Sequence, residues 1–332
     1  MLRISQLKLP VTHTEEDLKK KIVHTLMCRT EAVQSYEIIK QSLDARKKPE
    51  LFYVYTVDVK ADNEKQFLKM LTRKKRAGNV QLHEAMPYVF PAGGNEKLKS
   101  RPVVVGCGPA GLFCAYFLAE YGYQPVLLEQ GAPVEERQKD VEEFWKTGVL
   151  KPDSNVQFGE GGAGTFSDGK LNTLVKDTSG RNGKVLSTFV EMGADPSILY
   201  DHAPHIGTDV LREVVRNLRN RIIAGGGEVH FRSEVTEILE ENGRVSGVKL
   251  ADGTVIGTEQ VILSVGHSAR DLFEKLDRMK VFMEPKPFAV GLRIQHPQAQ
   301  INKNQYGMED AGKLGAAPYK VTAKTTSGRG VY

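Results

Sequence analysis

Cysteine is scarce in this chain, and an apolar segment at the N-terminus is missing. Three cysteines in 332 residues exclude a scaffold held by disulfides, and they favour a reducing compartment. The first ten residues, MLRISQLKLP, are too polar for a signal peptide, so we expect a cytoplasmic location. Hydrophobic residues make up 40% and charged residues 26%, which excludes a disordered or fibrous protein.

One uncharged stretch of 18 residues, 102–119, is near the length of a membrane-spanning helix. Gly106, Gly108, Pro109 and Gly111 interrupt it in the middle. A strand, a tight turn and a buried helix therefore explain the stretch better, and we expect no membrane partner.

Positive charge is concentrated in the first part of the chain. Residues 1–99 contain 19 Lys and Arg against 12 Asp and Glu, whereas residues 100–332 contain 27 against 29. This asymmetry indicates two units. We predict a basic domain over residues 1–91, a linker rich in glycine and charge over 92–101, and a second domain over 102–332.

Short alternating elements in the first domain predict the order β-α-β-β-α-β, which is typical of a ferredoxin-like α+β fold. Thr12 and Glu15 match a capping box before the first helix, and Asn63 precedes the second. The predicted strands cover residues 3–9, 35–40, 51–59 and 86–90.

Three basic clusters, 19–21, 46–48 and 73–76, lie in this first domain. They are typical of solvated surfaces, but an anion-binding or RNA-binding surface is the alternative. RNA-recognition modules share this strand order and stack bases on aromatic residues of the central strands, where the chain has Phe52, Tyr53 and Tyr55. The glycine-containing RNP1 pattern is missing, so we expect only weak electrostatic binding of nucleic acid.

A dinucleotide-binding fingerprint follows the linker. Val103, Val104 and Val105 predict a buried strand, residues 106–111 match G-x-G-x-x-G, and residues 112–120 continue as an apolar helix. The next strand ends in Glu129, 18 residues after Gly111, near the offset expected for an acid that accepts the ribose hydroxyls. In such a turn the glycines bring the backbone close to a pyrophosphate, and the helix N-terminus attracts its charge.

A second G-x-G-x-x-G match, residues 159–164, lacks this context, because no strand precedes it and no helical pattern follows. We therefore predict a loop there. Further along, a helix over 206–222, a strand near 229, a pair of strands joined by a hairpin and a buried strand over 261–266 complete the pattern. This order is typical of the FAD domain of flavoproteins that bind two dinucleotides.

The segments GCGPAGLFCAYFLAEYG, LLEQG, NVQFGEGGAGTFSDGKLNT, IGTDVL and VILSVGHSARD resemble the bacterial family of uncharacterised FAD-dependent dehydrogenases, within the glutathione-reductase-like FAD/NAD(P)-binding superfamily. The resemblance implies an α/β, Rossmann-like FAD/NAD(P)-binding domain. It also implies a redox reaction on an unidentified small-molecule substrate through non-covalent FAD. Only one nucleotide-binding fingerprint has its full context, so NAD(P)H is expected only as a transient electron donor. The alternative is an anion-binding or RNA-binding protein whose dinucleotide domain is structural or sensory.

The resemblance also implies roles for particular residues. The FAD pyrophosphate is expected at Gly106, Gly108, Pro109, Ala110 and Gly111. Glu129, with Gln130 beside it, is expected to hold the adenosine ribose, and Arg137 to face the phosphates. Val235 is expected to meet adenine through its backbone, and Gly266 to line the turn near the dinucleotide. The loop 159–170 is expected near the isoalloxazine ring, with Gly161, Gly162, Gly164 and Thr165 as its contact residues.

One departure from the superfamily concerns the C-terminus. These flavoproteins return near their end with a strand that finishes in Gly-Asp, and this sequence contains no Gly-Asp pair. We therefore expect that the C-terminal part of the family's domain is missing and that FAD retention is weakened.

Other reactive residues are set aside. Cys107 and Cys114 lack the C-x-x-C spacing of a redox pair, so we expect them to pack in the core. His267 follows Gly266, and a structural role is favoured over contact with a cofactor. No spacing supports a metal site, and no catalytic residue is predicted.

Overall fold

We describe a computed structural model of the chain, which covers residues 1–91, 93–167, 169–171, 173, 175–288, 291–292, 294–319 and 321–331. The chain divides into two compact units. The first comprises Met1–Ala85, Leu199–His202 and Lys286–Tyr332, and the second comprises Met86–Ile198 and Ala203–Pro285.

The first unit has the predicted β-α-β-β-α-β order. Its elements are β1 (Leu2–Pro10), α1 (Glu15–Leu26), β2 (Val33–Lys47), β3 (Glu50–Ala61), α2 (Glu64–Arg73) and β4 (Val80–Leu82). The strands form one antiparallel sheet in the order β2-β3-β1-β4. This arrangement confirms the ferredoxin-like α+β fold.

Two strands of this sheet differ from their predicted bounds. Strand β2 extends well beyond the predicted segment 35–40 because it pairs with β3 along nearly its whole length. The last strand is Val80–Leu82 rather than 86–90, because Val80 is buried against β1 while Met86 and Val89 are 76% and 77% exposed. A strand that completes a core needs inward-facing apolar residues, and segment 86–90 does not supply them here.

A β-bulge in β1 explains an irregular apolar pattern. Leu2, Ile4, Leu7 and Leu9 are all buried, although strict alternation would place the second pair on the opposite face from the first. The pairing of β1 with β3 shifts between Ile4 and Leu7, and Gln6 has a φ of 58°. The extra residue restores the inward direction of the later leucines.

Helix α1 begins two residues later than the predicted capping box. Its N-cap is Thr14, whose Oγ1 accepts a hydrogen bond from Asp17 N at 3.3 Å. The Asp17 carboxylate accepts one from Thr14 N at 2.9 Å. Thr12 and Glu15 therefore do not form the cap, because the chain becomes helical only after Thr14.

The aromatic side chains of β3 contact other side chains of the first unit. Tyr55 is buried and its hydroxyl lies 3.1 Å from Nε2 of His13, while the Lys8 ammonium lies 4.2 Å from the centre of the Phe52 ring. Burial raises the pKa of Tyr55 to about 12. Tyr53 packs against the Tyr55 and His13 rings. These rings contact other side chains of the first unit, and the RNA-binding alternative stays a prediction.

The second unit contains a parallel four-stranded sheet in the order β11-β5-β6-β7. Its elements are β5 (Val103–Val105), α3 (Pro109–Glu120), β6 (Val126–Leu128), α4 (Val134–Thr147), α5 (Arg181–Glu191), α6 (Thr208–Ala224), β7 (Glu228–His230), β8 (Val235–Glu241), β9 (Arg244–Leu250), β10 (Val255–Gly257), β11 (Val261–Leu263) and α7 (Arg270–Arg278).

Both faces of the parallel sheet are covered. Helices α3 and α6 pack on one face, against Val104 and Leu127. The antiparallel meander β8-β9-β10 covers the other face, where Val103 and Val126 meet Val248. This layering confirms the Rossmann-like α/β fold. None of the helices in the described part of the chain is long and apolar enough to cross a membrane.

Residues 286–331 group with the first unit. They contain α8 (Gln298–Tyr306), β12 (Ala323–Lys324) and β13 (Gly330–Val331). Tyr306 and Ala317 pack with Leu51 of β3 in a small buried cluster. This grouping differs from the predicted division, in which residues 102–332 form a single domain.

The position of the cap gives a matched pair of variants. Thr14→Ala removes the acceptor for Asp17 N and should lower the free energy of unfolding of the first unit by about 0.5–2 kcal/mol. Thr12→Ala, at the exposed position of the expected cap, should change it by less than about 0.5 kcal/mol. Urea unfolding followed by circular dichroism measures both, and equal midpoints for the two variants would contradict the assignment.

Candidate functional site

The first glycine turn joins β5 to α3 and brings three backbone segments close together. Gly106 has a φ of +99°, and a Cβ there would lie 2.5 Å from the carbonyl oxygen of Ser264. A Cβ at Gly111 would lie 1.8 Å from the carbonyl oxygen of Gly106. Any larger residue at either position would force the turn away from β11 or from the helix.

Helix α3 begins at this turn without a side-chain cap. Gly108 is the N-cap and Pro109 is the first helical residue, so proline contributes no N–H. Leu112 N donates to Gly108 O at 2.9 Å, and the amides of Ala110 and Gly111, which precede this first helical bond, have no intrahelical acceptor. The helix therefore presents free amides and the positive end of its dipole.

Gly108, Pro109 and Ala110, at the start of this helix, line a cavity of about 800 Å³ at the carboxyl ends of β5, β6 and β11. The volume lies within the range of small-molecule and cofactor sites. The structure brings nine of the predicted residues to this cavity, namely Gly106, Gly108, Pro109, Ala110, Glu129, Gln130, Gly162, Val235 and Gly266.

The other predicted residues lie outside the lining. Gly111 is buried beneath the turn, and Gly161 and Thr165 are buried next to α6, since a Cβ at Gly161 would meet both Thr165 Oγ1 and Val215. Gly164 has open space around it. Asp168, inside the predicted loop 159–170, lies outside the described residues.

Glu129 joins the two glycine loops. The carboxylate is buried, its Oε2 accepts from Cys107 N at 2.7 Å, and its Oε1 accepts from Gly131 N at 2.9 Å and Gly159 N at 3.0 Å. Charge-assisted bonds of this kind are stronger than those between neutral groups. Glu129 also lines the cavity, so the expected ribose contact stays a prediction alongside this bridging role.

Arg137 is fully buried under the second glycine loop. Its Nε donates to Asn155 O at 2.9 Å and its Nη2 to Val156 O at 2.9 Å. Its Nη1 donates to Glu160 O at 2.6 Å and to Gly162 O at 2.9 Å. Burial lowers the pKa of Arg137 to about 10, so the side chain stays charged at neutral pH. The sequence predicts that Arg137 faces the phosphates. In the structure its side chain donates to carbonyl oxygens of the loop and holds the loop in place.

The second glycine match is a loop, as its sequence context indicates. It has no preceding strand, and a single turn of 3-10 helix, Ala163–Phe166, follows. Gly161 N donates to Cys107 O at 2.8 Å, and a Cβ at Gly162 would lie 3.1 Å from Gly108 Cα. The loop is thus the second wall of the cavity. Its expected position near an isoalloxazine ring stays a prediction.

Sequence reasoning missed the buried acid Glu160. Its side chain is fully buried, and its Oε2 accepts from Val134 N at 2.7 Å and from Arg219 Nη1 at 2.8 Å. Its Oε1 has no hydrogen-bond partner among the described residues. Burial raises the pKa of this carboxyl to about 7. A charged residue between glycines was the only signal, and it is equally typical of a solvated loop.

Sequence reasoning also missed most of the cavity's far side, which is formed by the segment after β11 and by α7. Lys275 and Arg270 supply positive charge there, and neither forms an ion pair with another described residue. His267, for which the sequence favours a structural role, lines the cavity as well.

Cys107 packs in the core, as predicted, and burial raises the pKa of its thiol well above the ordinary value. Cys114 packs partly buried against the same cluster. Within the described ranges, no group of three His, Cys, Asp or Glu side chains is placed to hold a metal ion.

Family models match three parts of the chain. Residues 104–134 match a family described as NAD(P)-binding Rossmann-like domain, and residues 287–332 match one described as FAD-dependent protein, C-terminal domain-like. Residues 1–60 match a domain of unknown function. The first match covers the glycine turn, α3 and β6 of the site.

The chain is similar to an uncharacterized protein of Clostridium beijerinckii, with 42% identity over 333 residues, and it spans 61% of that protein's length. Among solved structures it is similar to Thermovibrio ammonificans THI4, at 20% identity over 54% of this chain and 62% of that one, with a TM-score of 0.35. It is also similar to the GidA-related protein from Thermus thermophilus, at 19% identity over 54% and 68% of the two chains, with a TM-score of 0.33.

The contacts of Arg137 predict a large effect of a small change. Lysine keeps the charge but loses the planar fork, so several buried loop carbonyls lose their donor, each at about 1–3 kcal/mol. We expect Arg137→Lys to lower the stability of the second unit by at least about 3 kcal/mol. The single tryptophan, Trp145, contacts Phe166, which stacks on the Arg137 guanidinium, so its fluorescence in a urea titration reports the change.

The matched control is Arg216→Lys, at a partly exposed arginine of α6 that pairs with Glu135. It should change the unfolding free energy by less than about 1 kcal/mol. Equal unfolding midpoints for Arg137→Lys and the unchanged protein would contradict the role of Arg137 in holding the loop.

Proposed function

We propose that the protein is an FAD-dependent oxidoreductase that holds non-covalent FAD in the cavity of the second unit and acts on a small-molecule substrate or electron donor. The observation that carries this proposal is the uncapped N-terminus of α3, which opens into that cavity beside Gly108. The match of residues 287–332 with an FAD-dependent family supports FAD over NAD(P) as the resident dinucleotide.

The residues present fit a pyrophosphate at the first glycine turn. A Cβ at Gly108 would meet nothing nearer than Gly162 Cα at 4.0 Å, so the space above this residue is open to a ligand. The Ala110 amide at the lining has no intrahelical acceptor and can donate to a phosphate oxygen, and the helix dipole adds a partial positive charge. Cations on α7, Arg270 and Lys275, balance further negative charge from the opposite wall.

The adenosine end fits the region between β6 and β8. Glu129 and Gln130 follow β6, and Val235 begins β8 on the neighbouring wall. One lone pair on Glu129 Oε2 is left after its three backbone bonds, and it can accept a ribose hydroxyl. The carboxylate would also repel a 2′-phosphate at this position, which favours FAD or NAD over NADP.

When bound, FAD supplies an acceptor for a hydride or for electrons, and the chain supplies position and electrostatics. The second glycine loop closes the side of the cavity next to Gly108, and Arg137 and Glu129 fix its shape from behind. A wall of fixed backbone dipoles excludes water and orients a planar ring system more effectively than a mobile loop does. NAD(P)H as a transient donor belongs to the same proposal.

The first test concerns the cofactor itself. We expect the purified full-length protein to show a flavin absorption spectrum, and the chromophore released by heat to chromatograph as FAD rather than FMN. The reason is that the turn and the α3 amides bind a pyrophosphate, which FMN lacks. A released chromophore that is FMN, or no flavin binding after reconstitution with FAD, would contradict the proposal.

The second test concerns Gly108. The backbone of Gly108 has an ordinary φ of −73° and free space, so Gly108→Val should fold normally while its side chain occupies the pyrophosphate position. We expect FAD affinity to fall about 100-fold or more, which corresponds to about 2.8 kcal/mol. Flavin fluorescence titration measures the affinity, and far-ultraviolet circular dichroism checks the fold.

Gly183→Val is the control, because Gly183 also has open space but lies on α5 outside the cavity. It should bind FAD like the unchanged protein. Unaltered FAD binding by Gly108→Val would show that the pyrophosphate lies elsewhere.

A further inference from the structure

A carboxylic acid lies directly behind the wall of the cavity. Gly159 and Gly162 line the cavity, and Glu160 between them turns its side chain away from it into the protein interior. The residue after Glu160 is tied to the first glycine turn, since Gly161 N donates to Cys107 O at 2.8 Å, and the residue before it, Gly159, donates to Glu129. Glu160 therefore moves with the backbone that faces the expected pyrophosphate.

The two oxygens of Glu160 have unequal surroundings. Oε2 accepts from the backbone N–H of Val134 and from the Arg219 guanidinium. Oε1 is equally buried, and no donor among the described residues reaches it. An ionised carboxylate with one oxygen lacking a donor is costly in the interior, and a proton on the carboxyl removes that cost.

The charged groups that face Glu160 are nearly balanced. Arg219 from α6 pairs with it, and Arg137 from α4 donates to its backbone carbonyl. Glu135 from α4 and Glu129 after β6 oppose a further negative charge on Glu160, whereas the nearby Cys107 thiol is neutral because burial raises its pKa well above the ordinary value. Burial and these acids together raise the pKa of Glu160, so both protonation states are populated near neutral pH.

We propose that binding of an anionic dinucleotide at the first glycine turn drives Glu160 to its protonated form, so that molecules in which this carboxyl is still ionised take up a proton from solvent. A pyrophosphate places negative charge on the other side of the same backbone, and a nearby negative charge favours the neutral form of a carboxyl group. The inference rests on the proposed function, because it assumes that the cavity binds such a ligand. It assigns Glu160 a positioning role, since the residue acts through the loop and does not touch the ligand.

The sign of the pH dependence follows from linkage. The ligand binds more tightly where Glu160 already carries the proton, so affinity should fall as the pH rises from about 6 to about 8. If binding raises the pKa by about one unit, the total fall is about tenfold. Glu160→Gln carries no titratable group and still offers an oxygen to Val134 N, so its affinity should not vary over this range.

The experiment is a calorimetric titration of FAD into the flavin-free full-length protein at pH 7, in phosphate and in Tris. The two buffers differ in ionisation enthalpy, so the difference in apparent binding enthalpy counts the protons exchanged. We expect uptake of a fraction of one proton by the unchanged protein and none by Glu160→Gln. Glu136→Gln, at an exposed acid of α4 that pairs with Arg232, should keep the uptake.

His267→Gln is a second control, because His267 lines the cavity and histidine also changes charge near neutral pH. This variant should keep the uptake too, and its loss there would overturn the assignment to Glu160. Binding without uptake in the unchanged protein, or equal uptake in Glu160→Gln, would overturn the inference and leave the proposed function intact. Absence of any FAD binding would overturn both.

Should Glu160→Gln fail to fold, Glu160→Asp decides the question. Aspartate keeps a titratable carboxyl but moves it by one methylene, so the pH at which uptake is greatest should shift from that of the unchanged protein. An unshifted profile in Glu160→Asp would overturn the inference.

Discussion

The carboxylate of Glu129 is the interaction on which the site depends. It stands at the end of the central strand β6, and its two oxygens accept amides from both glycine loops and from the chain just after itself. Neither loop has a regular hydrogen-bonding pattern of its own at these points. A buried charge that accepts several amides substitutes for that pattern and fixes the distance between the loops. The cavity wall therefore takes its shape from an acid as well as from apolar packing.

The second glycine loop is also held by a buried charge, which in this case is a cation. Arg137 satisfies backbone carbonyls of the loop with one guanidinium, and Phe166 covers that guanidinium at 4.8 Å. Glu160 and Arg219 add an ion pair on the side of α6, in which the acid is fully buried and the arginine partly buried. Buried charges of both signs thus alternate from β6 to α6, and each has partners that offset its desolvation. Glu160 is the exception, since one of its oxygens lacks a donor in the described structure.

The fold was predictable where local pattern and tertiary packing agree. The valine strand, the glycine turn and the apolar α3 are one continuous signal, and most of the residues expected at the pyrophosphate do line the cavity. Prediction from sequence was weaker where contacts between distant parts of the chain determine an element or the surroundings of a side chain. The strand at Val80–Leu82 is short and becomes recognisable only by its pairing with β1. The contacts of Arg137 with the loop and the burial of Glu160 could not be predicted from sequence, because their partners are mainly backbone groups and a distant arginine.

The hydrogen bonds of Arg137 go to main-chain carbonyls, which every residue type provides. The side chains of Val156, Gln157 and Phe158, which are not buried, can therefore change while a residue on α4 holds the path of the loop. The glycines at 159, 161 and 162 cannot change in this way, because each has a positive φ and a Cβ there would meet neighbouring atoms. The shape of this wall is therefore determined by a residue outside the segment that forms the wall. Related chains can diversify what the loop presents to a substrate and still retain the geometry that places it beside the first glycine turn.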